Sequence, residues 1–271
     1  MILSNVLKKS MSKIIFFTPV DIEVELPSQQ DLISYCKSRS VEHPYDVSRG
    51  LVIPVACRDD LSPWNFVMDF HSIRFSDKLV SDIENNQFRD SLKGIDLNAT
   101  FENLHWEPRF KNLFPELIDA VRQQPWKLFN AVFLTLVGDK PSLLHKDPDT
   151  DWGGADSGWS TITPERYNIM LTCHETPVMI WSNETETYNP AIDKRYPCYA
   201  FNNADFLHGS TVPDERTIGK RIQLVVHGVL DDTKHIELLT RSIKKFKDRV
   251  GYMTSPDHLR LSGYKNILEI K

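Results

Sequence analysis

"FNAVFLTLVGDKPSLLHKDPDTDW", residues 129–152, holds the reading of the fold. Its first ten residues are apolar, aromatic or β-branched and close on Gly138, which predicts a strand. Asp139, Lys140, Pro141 and Ser142 then break the run as a turn. Two leucines follow, and the chain drops at once into His145-x-Asp147 and a stretch of turn residues ending at Trp152.

The same texture continues downstream. "RYNIMLTC" (166–173), "PVMIWSN" (177–183), "YPCYAFNN" (196–203) and "KRIQLVVHGVL" (220–230) are short, β-rich and separated by turn residues. Five such runs with no helical period between them predict an antiparallel sandwich or barrel, mainly β with flanking helices. Upstream, "KIIFFTPVDIEVELP" (13–27) reads as strand and "SQQDLISYCKSRS" (28–40) as a helix capped by Ser28 and Asp31. "FPELIDAVRQQPW" (114–126) predicts a helix with Pro115 in its first turn and Leu117, Ile118 and Val121 on one face. After the β region, residues 231–250 predict an amphipathic helix whose apolar face is Ile236, Leu239, Ile243, Phe246 and Val250. One domain suits this order. It has an N-terminal α/β elaboration over about 1–128, a β core over about 129–232, and a C-terminal helix and tail over about 233–271.

Composition narrows the function. Hydrophobic residues make up 41% of the 271, enough for a sizeable core. A formal net charge of -5 argues against a field that recruits nucleic acid, and the basic run Arg241–Lys247 reads as the wet face of a helix. No apolar run reaches the roughly 18 residues that a membrane span needs. Cys36, Cys57, Cys173 and Cys198 lack zinc-type spacing and read as reduced, mostly buried thiols of a cytoplasmic protein.

With nine histidines in the chain, one His-x-Asp is close to a chance event. On its own His208, in "FNNADFLHGS", reads first as a turn histidine bonded to nearby backbone. Taken with His145 and Asp147 it completes two histidines and one carboxylate, the ligand set of non-heme Fe(II) oxygenases. A structural zinc site would close with a fourth protein ligand, and neither His227 nor Cys198 is a convincing one. "KRIQLVVHGVL" places Arg221, Gln223, Val225 and His227 on one strand face, where an arginine among apolar residues needs an anion. A planar guanidinium can grip a carboxylate of a bound ligand. Arg166 and Asn168 likewise open an apolar strand on one face.

The order His145-x-Asp147, Arg166-x-Asn168, Trp181, "YAFNNADFLHGS" and then Arg221, thirteen residues past His208, resembles the Fe(II)/2-oxoglutarate-dependent dioxygenases. Within that superfamily it is most similar to the aspartyl/asparaginyl β-hydroxylase and bacterial proline hydroxylase group. Asn168 stands where a histidine is usual there, and Asn202 and Asn203 replace two acids. The resemblance covers residues 129–232.

It implies a double-stranded β-helix (jelly-roll, cupin-like) core. His145, Asp147 and His208 would be the iron ligands. Arg221 would hold the distal carboxylate of 2-oxoglutarate, with Arg166, Asn168 and Thr135 as helpers. It further implies O2 as oxidant and hydroxylation, because halogenating relatives replace the carboxylate that Asp147 supplies. The small-molecule substrate expected is a free amino acid or amino-acid derivative. A peptide or protein side chain is the alternative, as is a non-catalytic metal- or ligand-binding protein of the same shape. Trp152, directly after the ligand pair, is a candidate to close over substrate. Nucleic acid and membrane are not expected partners.

Overall fold

Eleven strands and four α-helices make up the regular structure of a computed structural model that describes residues 13–39, 51–57, 99–138, 166–174, 179–182, 187–202 and 207–254. In chain order the strands are β1 (Lys13–Pro19), β2 (Leu51–Cys57), β3 (His105–Trp106), β4 (Trp126–Leu136), β5 (Arg166–Met170), β6 (Met179–Ser182), β7 (Thr187–Tyr188), β8 (Cys198–Phe201), β9 (Leu207–Ser210), β10 (Ile222–Leu230) and β11 (Gly251–Thr254). The helices are α1 (Gln29–Arg39), α2 (Pro108–Leu113), α3 (Pro115–Arg122) and α4 (Asp232–Phe246).

Eight strands form one antiparallel sheet in the order β11-β1-β8-β5-β10-β4-β2-β3, and three form a second in the order β7-β6-β9. Neither sheet closes on itself among the described residues. The long β4–β10 pairing runs from Leu136↔Ile222 to Trp126↔Leu230 and is the spine of the larger sheet. A bulge interrupts it at His227/Gly228, where a Cβ on Gly228 would lie 2.1 Å from the Leu128 carbonyl oxygen. Only glycine allows the two backbones to come that close.

Alternation splits the larger sheet into two unlike faces. Tyr167, Ile169, Cys198, Ala200, Leu224, Val226, Val132 and Leu134 point to one side and merge with Leu32, Tyr35, Leu117, Val121, Leu238 and Leu239 of the helices in one core. Burying each large apolar side chain there contributes about 1.5–3 kcal/mol. The opposite face carries Phe17, Met170, Tyr199 and Phe201, a smaller aromatic cluster. Tyr188 of β7 packs on Phe16 and Phe17 at 5.1 and 5.8 Å between ring centroids, so the three-stranded sheet lies across this second face.

Local chemistry accounts for the helix starts. The Ser28 hydroxyl accepts from the Asp31 amide and donates to its carboxylate, the capping expected of that pair. The Glu107 carboxylate accepts from the Arg109 and Phe110 amides to cap α2, and from the buried Tyr35 hydroxyl. Pro115 sits in the first turn of α3, with Leu117, Ile118 and Val121 buried as expected.

Four expectations need correction. The strand predicted over 13–27 ends at Pro19. Beyond it the Asp21 amide donates to Ser242, and the Asp21 carboxylate pairs with Arg241 and Lys245, so α4 pulls the chain off the sheet. The strand expected from Phe129 starts at Trp126. The inward face of α4 keeps the expected Leu239 and Phe246 and adds His235, Leu238 and Ser242, while Ile236 and Ile243 are only half-buried. Last, β1, β2, β3 and β11 come from outside residues 129–232 yet join the larger sheet, so the terminal regions extend the β core itself. Among the described residues no helix is long and apolar enough to cross a membrane.

Candidate functional site

The second face of the larger sheet gathers most of the predicted polar residues. Cross-strand register places Arg166 opposite Phe201 and Asn168 opposite Tyr199, so all four share that face of β5 and β8. Asn168 is also opposite Val225, and Gln223 opposite both Met170 and Thr135, which extends the same face across β10 and β4.

Arg221 stands at the entry to β10 and is 2% exposed. Its backbone is fixed on both sides. Gly219, at φ 63, turns the chain, and its amide donates to the Val137 carbonyl. The Thr172 hydroxyl donates to the Lys220 carbonyl at 2.6 Å and accepts from the Ile222 amide at 2.8 Å, bracketing Arg221 from β5's side. Burial lowers the Arg221 pKa to about 10, and the Tyr199 phenol and the Cys173 thiol act in the opposite direction. At neutral pH the guanidinium keeps its charge.

Tyr199 is the centre of the group. It is fully buried, and burial pushes its phenol up to about 12. The hydrogen bond from Asn168 Nδ2 to the hydroxyl, 3.4 Å, and the charges of Arg166 and Arg221 oppose that shift. Two guanidiniums, from opposite ends of β5 and β10, therefore act on one phenol. Asn168 Oδ1 is buried with no hydrogen-bond partner among the described residues.

His208 enters from the smaller sheet. It is not on a turn, as its sequence setting suggests, but inside β9, directly opposite Trp181 of β6. It is 3% exposed and packs edge-on against the Phe201 ring at 5.2 Å between centroids. Arg166 lies over the other part of this group, its Cζ 5.8 Å from the Phe201 centroid. Thus His208, Phe201, Arg166, Tyr199, Asn168 and Arg221 form one connected set spanning both sheets. Thr135 is half-buried on the same face, one strand beyond Gln223. His145, Asp147 and Trp152 lie outside the described residues.

Of this set sequence reasoning singled out His208, Arg166, Asn168 and Arg221, and passed over Tyr199 and Phe201, which read only as apolar positions of "YPCYAF". The signal available was pairing: the residues opposite Arg166 and Asn168 on the neighbouring strand are these two aromatics.

As chemistry, the set is a cationic, mostly buried polar group with an imidazole at one end. Forked guanidiniums, a phenol and an amide suit a small ligand with more than one carboxylate. A buried imidazole suits a metal. No protein-family model matches the chain, and no curated protein matches it significantly.

Proposed function

We propose that the chain is an Fe(II)/2-oxoglutarate-dependent dioxygenase with a double-stranded β-helix core. It hydroxylates an unactivated C–H of a free amino acid or amino-acid derivative. The observation that carries this reading is the pair of guanidiniums around Tyr199, Arg221 buried and Arg166 half-buried, on the sheet face against which His208 packs. A dianion next to a metal-binding imidazole is what 2-oxoglutarate bound to iron requires. The described residues fit that group in donor type: one nitrogen ligand, and beside it cations and neutral donors for carboxylates.

His208 would hold the metal together with His145 and Asp147. When bound, Fe(II) with O2 supplies the oxidation, in which 2-oxoglutarate loses CO2 to give succinate and the substrate C–H gains a hydroxyl group. The chain's own residues bind, orient and exclude water. Arg221, fixed by Thr172 and Gly219, holds the distal carboxylate of 2-oxoglutarate. Arg166 and Asn168 orient the same molecule, Tyr199 offers it a hydroxyl, and Thr135 is a further helper on β4. Phe17, Phe201 and Met170 line this face and keep water away. The buried thiols of Cys36 and Cys198 suit a reducing, cytoplasmic setting.

The test is an anaerobic titration of the purified apo-protein with Fe(II) and then 2-oxoglutarate, following the visible charge-transfer band of the chelate. The band should form in the wild type and be lost in His208→Ala. Neither a band nor iron-dependent affinity for 2-oxoglutarate in the wild type would overturn the proposal.

A further inference from the structure

Strand β5 carries Arg166 and Asn168 on the face of Tyr199 and Phe201, and between them Tyr167 points the other way into the main core. The ladder holding β5 is uneven. On the β8 side it runs from Arg166↔Phe201 to Ile169↔Cys198. On the β10 side it covers only Asn168, Ile169 and Met170, paired with Val225, Leu224 and Gln223. The opening end of β5, Arg166 and Tyr167, thus lies beyond that register with β10.

A side-chain contact also holds this end of β5. The Tyr167 hydroxyl lies 2.7 Å from Nδ1 of His235, in the first turn of α4, and both residues are buried. Their rings meet edge to face at 5.7 Å, and Trp126 packs edge-on against Tyr167 at 6.0 Å. Nε2 of His235 is buried with no hydrogen-bond partner among the described residues. A core chosen for stability alone would favour an apolar residue at that place. The imidazole leaves one nitrogen unsatisfied in order to hold Tyr167 with the other.

From this geometry we infer that Tyr167 and His235 are positioning residues for the site, tethering the opening end of β5 to α4 so that Arg166 and Asn168 stay aimed at the ligand. The tether acts through the backbone: Tyr167 is the residue between the two contacts, so a shift of its Cα moves both. The inference rests on reading Arg166 and Asn168 as contacts to 2-oxoglutarate.

Tyr167→Phe removes the hydroxyl and keeps the ring. Two readouts on the full chain test it: amide hydrogen exchange by segment, and the affinity and turnover with Fe(II) and 2-oxoglutarate. Exchange over Arg166–Met170 should quicken by about tenfold or more while β4 keeps its protection. The KM for 2-oxoglutarate should rise about five- to tenfold with kcat within about twofold of wild type. His235→Leu should reproduce both effects. His235→Asn, whose amide can take the place of Nδ1, should restore both, and this pair of variants decides the matter if Tyr167→Phe does not fold. Unchanged exchange, exchange that quickens equally in β4, or local loosening with an unchanged KM overturns the inference. If the wild type itself fails to bind 2-oxoglutarate, the functional reading fails, and the exchange pattern alone then decides whether the tether exists.

Discussion

Arg221 keeps a charge in a place that is 2% exposed, where the Tyr199 phenol and the Cys173 thiol act on it. Truncating one side of a buried charged contact is costly because the other side stays behind dehydrated. Arg221→Ala should therefore weaken 2-oxoglutarate binding by roughly 2–5 kcal/mol, read by calorimetry under anaerobic conditions. Arg221→Lys should recover only part of that, since an ammonium cannot match a carboxylate with two parallel hydrogen bonds. Tyr199→Phe tests the residue at the centre of the group. It removes one hydrogen-bonding hydroxyl and should cost about 1 kcal/mol of the same affinity, with the far-ultraviolet spectrum unchanged. These residues differ in how visible they are in the chain. An arginine opening "RIQLVV" contradicts its surroundings and announces itself. A tyrosine in "PCYAF" agrees with its surroundings, and only the pairing of β5 with β8 gives it a role.

Among elements, the spine of β4 and β10 depends on the bulge at Gly228. Gly228→Ala forces its Cβ onto the Leu128 carbonyl, and the two strands must part or re-register. A loss of about 1–3 kcal/mol is expected, measured as a lower urea midpoint at an unchanged slope. The strand runs of the β region were legible because each is a dense apolar stretch between turn residues. β9 was harder, being four residues long with a histidine, a glycine and a serine in it, so its strand character comes from pairing with β6 and not from composition. The inward face of α4 was placed only in part, through Leu239 and Phe246, for a related reason. Periodicity follows hydropathy, while the packed face includes His235 and Ser242, whose polar groups bond to Tyr167 and to Leu238 and Asp21.

For the molecule as a whole, His235 makes stability depend on pH. Burial lowers its pKa from 6.5 to about 4. Above about pH 6.5 the imidazole is neutral folded and unfolded, and its contribution is level. As pH falls from there towards about 4, the unfolded chain takes up the proton and the folded one does not, so stability falls. The loss should reach on the order of 3 kcal/mol and flatten below about pH 4. Urea midpoints for wild type and His235→Leu at about pH 7 and about pH 5 measure it, and the variant should show the shallower decline. The larger sheet also has a history written into its order. β1, near the start of the chain, lies between β8 and β11, whose residues are numbered 198–201 and 251–254. A growing chain that has left the ribosome only as far as Met170 thus holds β1 with neither of its neighbours. β1 must wait for β8 before it has any partner and for β11 before both its edges are paired, and until β8 is made Ile15, Phe16 and Phe17 are an apolar segment with nowhere to go, which a chaperone or a second nascent chain would meet first.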